Sequence, residues 1–224
     1  MAEDLELTAA QARVIGALME KELTTPDAYP MTLNALTTAC NQTSNRDPIV
    51  QYEPPQVETT VLALKSKALA RVVHPGSGER ATKYRHVLDE ALGLERPEQA
   101  LLCVLLLRGA QTAPELKSRT ERLHPFESAA EVESVLARLA GHDPARVARV
   151  DRAPGQREGR WIQLLETGAE RRAAATTAPV ITPQSRAPGR MEELEARLAD
   201  LESRFEALIE ALGDLIDRPA EESR

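Results

Sequence analysis

The chain carries one pattern twice, and that repetition narrows the folds open to it more than any other feature. Residues 56–87 (QVETTVLALKSKALARVVHPGSGERATKYRHV) and 131–165 (EVESVLARLAGHDPARVARVDRAPGQREGRWIQLL) share an order. Each reads as a short amphipathic helix, an alternating segment, a glycine-bearing polar turn and a second alternating segment. Val57, Val61 and Leu64 recur as Val132, Leu136 and Leu139 at a constant offset of 75 residues. Periodicity on this scale defines the unit that folds. Here the unit is helical and ends in a β-hairpin.

Start and stop signals extend the unit upstream. Thr8 and Gln11 form a capping-box pattern, predicting a helix to about Glu22 with Ala12, Ile15, Leu18 and Met19 as its apolar stripe. A short extended piece at Tyr29–Met31 precedes a second helix over Thr32–Cys40. A polar loop, NQTSNRDPIVQYE, follows; it is β-prone at Ile49 and Val50. Proline suits the first turn of a helix, so Pro54 and Pro55 open a third one that ends near Ala68. Hairpin strands are expected at Ala70–His74 and Ala81–Leu88. The second copy is more compact. Pro97–Arg108 is a helix stopped by Gly109, capping boxes at Thr112/Glu115 and Ser128/Glu131 open two more, and strands are expected at Arg146–Asp151 and Arg160–Leu165. The first helix of this copy has few polar residues, so it must be covered on several sides; packing between the two copies is the expected cause.

Three helices and a hairpin outline a winged helix. The predicted fold class is therefore mainly α with small β-hairpins (α+β). Its winged-helix domains span residues 1–91 and 92–167. Residues 168–189, rich in Ala, Thr and Pro without a period, read as a flexible linker reaching about 25 Å. Residues 190–217 read as a coiled-coil helix of about 40 Å, because Met191, Leu194, Leu198, Leu201, Phe205, Leu208, Leu212 and Leu215 alternate at spacings of three and four. So narrow a stripe is marginal alone in water. The flanking charges select the partner. Arg190 and Arg197 fall at g positions and Glu195 and Glu202 at e, which attract in a parallel pair. A homodimer through this helix is expected, with a trimer left open.

Charge bounds the partners. The net charge is −7, which argues against indiscriminate nucleic-acid binding. Positive charge nevertheless gathers on both hairpins: Lys65, Lys67, Arg71, Arg80, Lys83 and Arg85 in the first, Arg146, Arg149, Arg152, Arg157 and Arg160 in the second. A winged helix lays its third helix in the major groove while its wing reaches phosphate. On that pattern Thr59 and Lys65 are candidate contacts from the helix, with Arg71, Arg80, Lys83, Arg85, Arg157 and Arg160 from the wings. Asn45 and Arg46 add bidentate hydrogen-bonding capacity towards base edges. The same loop side chains also satisfy backbone groups and cap helices, and that structural role is preferred for the loop. Glu58, Glu131 and Glu133 sit in the first turns of the third helices, where they favour the helix dipole but repel phosphate. The second copy is accordingly the weaker DNA reader and the better candidate for docking protein. Six aromatic residues leave no stacking platform for single strands.

Catalysis finds little support. The four histidines are scattered, no glycine-rich loop opens a helix, and no metal-ligand spacing occurs; no catalytic residue, metal or cofactor is expected. Cys40 and Cys103 lie in different copies, which fits a reducing cytoplasm. Cys103, inside ALLCVLLL, reads as a small core residue. No apolar run reaches the roughly 18 residues of a membrane span, and the acidic N-terminus is unlike a secretory signal. The expectation is a cytoplasmic, non-enzymatic, DNA-binding or DNA-associated regulatory dimer. The rival is a winged-helix scaffold that binds a protein partner without touching DNA.

The stretch TTPDAYPMTLNALTTACNQTSNRDPIV, with LLLRGAQTAPEL and the helix AEVESVLARLA, resembles the YceH-like family of bacterial proteins. The likeness covers residues 5–165 closely and the coiled coil in kind. It implies tandem winged helices with a C-terminal coiled coil. It carries over no substrate and no site residues.

Overall fold

The structure, a computed structural model, describes residues 5–75, 81–150 and 159–168. Thr8 caps the first helix, α1 (Ala9–Thr24), through a complete capping box with Gln11. A single 3-10 turn at Pro26–Ala28 and a two-residue strand β1 (Met31–Thr32) lead to α2 (Leu33–Cys40), capped by Thr32. The loop after it enters α3 (Pro54–Ser66), then β2 (Ala70–Val73) and β3 (Lys83–His86). A short helix α4 (Leu88–Leu92) ends at Gly93, whose φ of 64° closes the turn without a Cβ penalty. The second copy follows as α5 (Arg96–Arg108), α6 (Ala113–Thr120), α7 (Ala129–Ala140), β4 (Val147–Val150) and β5 (Arg160–Gln163). The described chain is thus mixed α+β, mostly helix, with small antiparallel sheets.

The repeat predicted from sequence is visible in the packing. Val57, Val61 and Leu64 of α3 are fully buried, as are Val132, Leu136 and Leu139 of α7. The sheets correspond as well. In the first copy β1 joins the hairpin in the order β1-β3-β2, with Met31 opposite Tyr84. In the second, Gln111 takes the place of β1 by bridging to Trp161, exchanging backbone hydrogen bonds of 3.0 and 2.7 Å immediately before the cap of α6.

The two copies share one apolar core, and the described residues lie in a single unit, Met1–Ala178. Ten successive residues of α1, Gln11–Glu20, are buried, as is all of Ala100–Leu107 in α5. A helix buried all round must be covered on every side, and these two cover each other. Gly16 marks their closest approach. A Cβ there would lie 2.9 Å from both Cγ and Cδ2 of Leu107, so only glycine fits without a shift. Cys103 Sγ donates to the Gly16 carbonyl at 3.5 Å. A second tie closes the unit: Leu7 N–H donates to Leu165 O at 2.7 Å, and Thr167 N–H donates to Leu7 O at 2.9 Å.

Three local readings change. Ile49 and Val50 form no strand; the loop they belong to is fastened two residues on, at Tyr52, by the Asn41 side chain. Its amide donates to Tyr52 O and accepts from Tyr52 N–H, both at 2.8 Å. Ser128 caps α7, but the Glu131 carboxylate accepts from the N–H of Glu127, one residue too early for a closed box. Conversely, Glu95 and Glu98 form a capping box at α5, where the sequence offered no Ser or Thr to signal one.

Candidate functional site

Strand alternation sorts the side chains of the first hairpin. Tyr84 and His86 of β3 point into the core, and Lys83 and Arg85 point out. Antiparallel register sets Arg71 opposite Arg85 and Val73 opposite Lys83, so Arg71, Lys83 and Arg85 share the outer face. Arg71 Nη2 and Arg85 Nη1 each lie 3.0 Å from a different oxygen of Glu90. One carboxylate therefore serves two guanidiniums, and this face keeps a surplus of positive charge.

Helix α3 stands beside the hairpin. With Val57, Val61 and Leu64 turned inward, helical geometry leaves Pro55, Glu58, Thr59, Leu62, Lys65 and Ser66 as one exposed stripe. Glu58 is tied down by the Tyr84 hydroxyl. Burial first, and then the Glu58 charge, push the Tyr84 phenol up. The Thr59 hydroxyl donates to Pro55 O at 2.9 Å.

The other candidate contacts lie elsewhere. Arg46 is buried at 6% exposure, and its fork is fully engaged. Nη1 and Nη2 reach the two Glu20 oxygens at 3.0 and 2.6 Å, while Nε and Nη2 donate to Ala39 O. It pins the loop to α1 and α2 and offers no donor to a base edge. Asn45, at a φ of 61° that asparagine tolerates, gives its side-chain carbonyl to Arg108. Arg160 donates to Ala110 O at 2.9 Å and faces Glu115 at 3.4 Å. Arg138, the basic group of α7, is claimed by Glu95 and Glu98 at 3.4 and 3.5 Å. Arg80, Arg157 and the eight seam residues Met191 to Leu215 lie outside the described residues.

Both cysteines are buried. Burial pushes the Cys40 thiol up to about 12 and the Cys103 thiol higher still. Among the described residues no group of His, Cys, Asp and Glu is placed to hold a metal ion, and no helix is long and apolar enough to cross a membrane.

Comparison with known proteins places the chain in a family. A family model described as a protein of unknown function, DUF480, matches residues 7–156. A UPF0502 protein of Geotalea daltonii is 47% identical over 176 residues, covering 79% of each chain. Another from Paraburkholderia phymatum is 43% identical over 204 residues, 90% of this chain and 84% of that one. The UPF0502 protein YceH of Salmonella paratyphi A is 42% identical over 214 residues, 93% of this chain and 99% of its own length. Identity at this level over most of both chains means that the chain belongs to the DUF480, or UPF0502, family.

Proposed function

We propose that the protein is a tandem winged-helix, DNA-binding or DNA-associated regulatory protein, non-enzymatic and paired through a C-terminal coiled coil. The first repeat supplies the DNA-facing surface. The observation that carries this reading is the cross-strand pair Arg71 and Arg85, two guanidiniums over the single carboxylate of Glu90. Beside them α3 presents Thr59, Leu62 and Lys65 in one stripe. Cations on flexible stems suit phosphates, since each contact releases counterions. The second repeat contributes little here, because Arg138 and Arg160 are already engaged; its role is to brace the first through α1 and α5. Pairing two first repeats would recover by avidity what each lacks in affinity.

Titration of the full chain with duplex DNA at two salt concentrations tests the proposal. The affinity should fall with a log–log slope of about −0.9 for each phosphate engaged. Affinity independent of salt removes the phosphate-contact reading.

One observation favours a protein-binding scaffold instead. Among the described residues the exposed large hydrophobics are Ile49 at 59% and Leu62 at 42%, both in the first repeat. A nuclease-treated pull-down separates the readings, since a partner retained without nucleic acid supports the scaffold.

A further inference from the structure

A cleft of about 880 Å³ opens where the two repeats meet, walled by α1, the loop after α2, the end of α5, and α6 with its exit. Lys21, Arg108, Arg119 and Arg122 line it, together with the buried Leu107 and Leu123. Four cations brought onto one concave surface are costly unless carboxylates balance them, and here the carboxylates are outnumbered. Glu20 is held by the fork of Arg46 and lies 3.2 Å from Lys21. Glu115, in the adjoining recess, lies between Arg119 at 3.7 Å and Arg160 at 3.4 Å, and also accepts the Thr112 N–H at 2.8 Å. Glu121 is exposed.

Arg108 sits between these two groups. It donates to the Asn45 side-chain carbonyl and, among the described residues, meets no carboxylate within ion-pair distance. Its proton is held less tightly than usual, through burial first and the Arg119 charge second. The same residues would be unremarked on a convex, solvated face. What distinguishes them is their convergence on a recess of the size that holds small ligands, roughly 300–1,000 Å³.

We propose that this cleft binds a small phosphate-bearing ligand of nucleotide size, its phosphates between Arg108, Arg119 and Lys21 and its apolar part on Leu107 and Leu123. Guanidinium forks match phosphate oxygens two at a time, and Arg108 has donors that no protein carboxylate takes. The site is distinct from the α3–hairpin face and does not depend on the DNA reading. Because its walls belong to both repeats, an occupant would fasten one to the other and raise the stability of the fold.

Isothermal titration of the full chain at low ionic strength tests this, with inorganic tripolyphosphate, ATP and adenosine as probes. Both phosphates should bind, ATP the tighter, and adenosine should give no heat. Arg108→Ala should weaken ATP by roughly tenfold or more, as loss of a charge-assisted fork implies. Should that variant fail to fold, Arg119→Gln decides, with the same expected loss. Silence from both phosphates overturns the proposal, and so does ATP binding undiminished in Arg119→Gln. A short duplex distinguishes the source of the phosphate. If it displaces ATP and loses affinity in Arg119→Gln, the cleft is a DNA-backbone contact and the small-ligand proposal falls. If Arg119→Gln weakens ATP and spares the duplex, the proposal stands. ATP binding in a chain that ignores DNA also supports it, and then only the DNA reading is lost.

Discussion

Arg46 and Glu20 meet at two points, Nη1 to Oε1 at 3.0 Å and Nη2 to Oε2 at 2.6 Å. The pair joins the loop after α2 to the last buried turn of α1, with the arginine side chain wholly enclosed. Removing Arg46 leaves the largely buried Glu20 with Lys21 at 3.2 Å as its remaining cation. Arg46→Ala should therefore lower stability by about 3–5 kcal/mol in urea denaturation, far more than an exposed arginine.

The same pair sets an acid limb. Burial alone would raise the Glu20 pKa, but the hydrogen bonds and charges of Arg46 and then Lys21 together outweigh it and hold the carboxyl below its usual 4.5. A group lowered in the folded state stabilises above its unfolded value, and that contribution is lost as pH falls through the folded one. Stability should decline below pH 4.5, and Glu20→Gln, measured against pH, should decline less steeply.

Gly16 is a test of the join between repeats. Its added methyl in Gly16→Ala would gain about 1 kcal/mol of helix propensity but press on Leu107 Cγ at 2.9 Å. Overpacking costs about 1–3 kcal/mol, so a net loss is expected, and Gly16→Val should lose more. Thermal melting of both variants measures the order.

The cysteines should be silent in the native protein. With Cys40 pushed to about 12 and Cys103 beyond it, almost no thiolate exists at neutral pH, and both thiols are enclosed. A chromogenic disulfide reagent should label neither until denaturant is added, and then both. The raised values also mean that their contribution is intact below 9.0 and lost as pH rises above it.

The hairpin face predicts changes of opposite sign. Arg85→Ala should weaken duplex DNA and reduce the salt slope by about 0.9. Glu90→Ala should strengthen binding, because it releases Arg71 and Arg85 from their shared carboxylate. Equal effects from both changes would count against phosphate contact at this face.

Elements whose signals are local and chemical were legible in the sequence. Thr8 with Gln11 and Thr112 with Glu115 marked helix starts that the structure reproduces. The period of Val57, Val61 and Leu64 marked a face that is buried in both copies. Positions decided by long-range pairing were hidden. Ile49 and Val50 have strand propensity yet lie in a loop, which Asn41 fastens by bonding Tyr52, 11 residues on. For Arg46 the structural role was the preferred reading over base contact, but nothing nearby announced its partner as Glu20, 26 residues away. The cationic cleft was missed for the same reason. Lys21 of α1 is far along the chain from Arg108 of α5 and Arg119 of α6, and packing of α1 and α6 against α5 assembles them. The spacing of Arg119 and Arg122, three residues apart, was the one local clue.

The strap between Leu7 and the stretch Leu165–Thr167 has a consequence for local opening. It ties the segment before α1 to the segment after β5, so neither can peel from the body without breaking backbone hydrogen bonds held by the other. Fraying at these two places is therefore one event, and amide exchange at Leu7 and Thr167 should slow together.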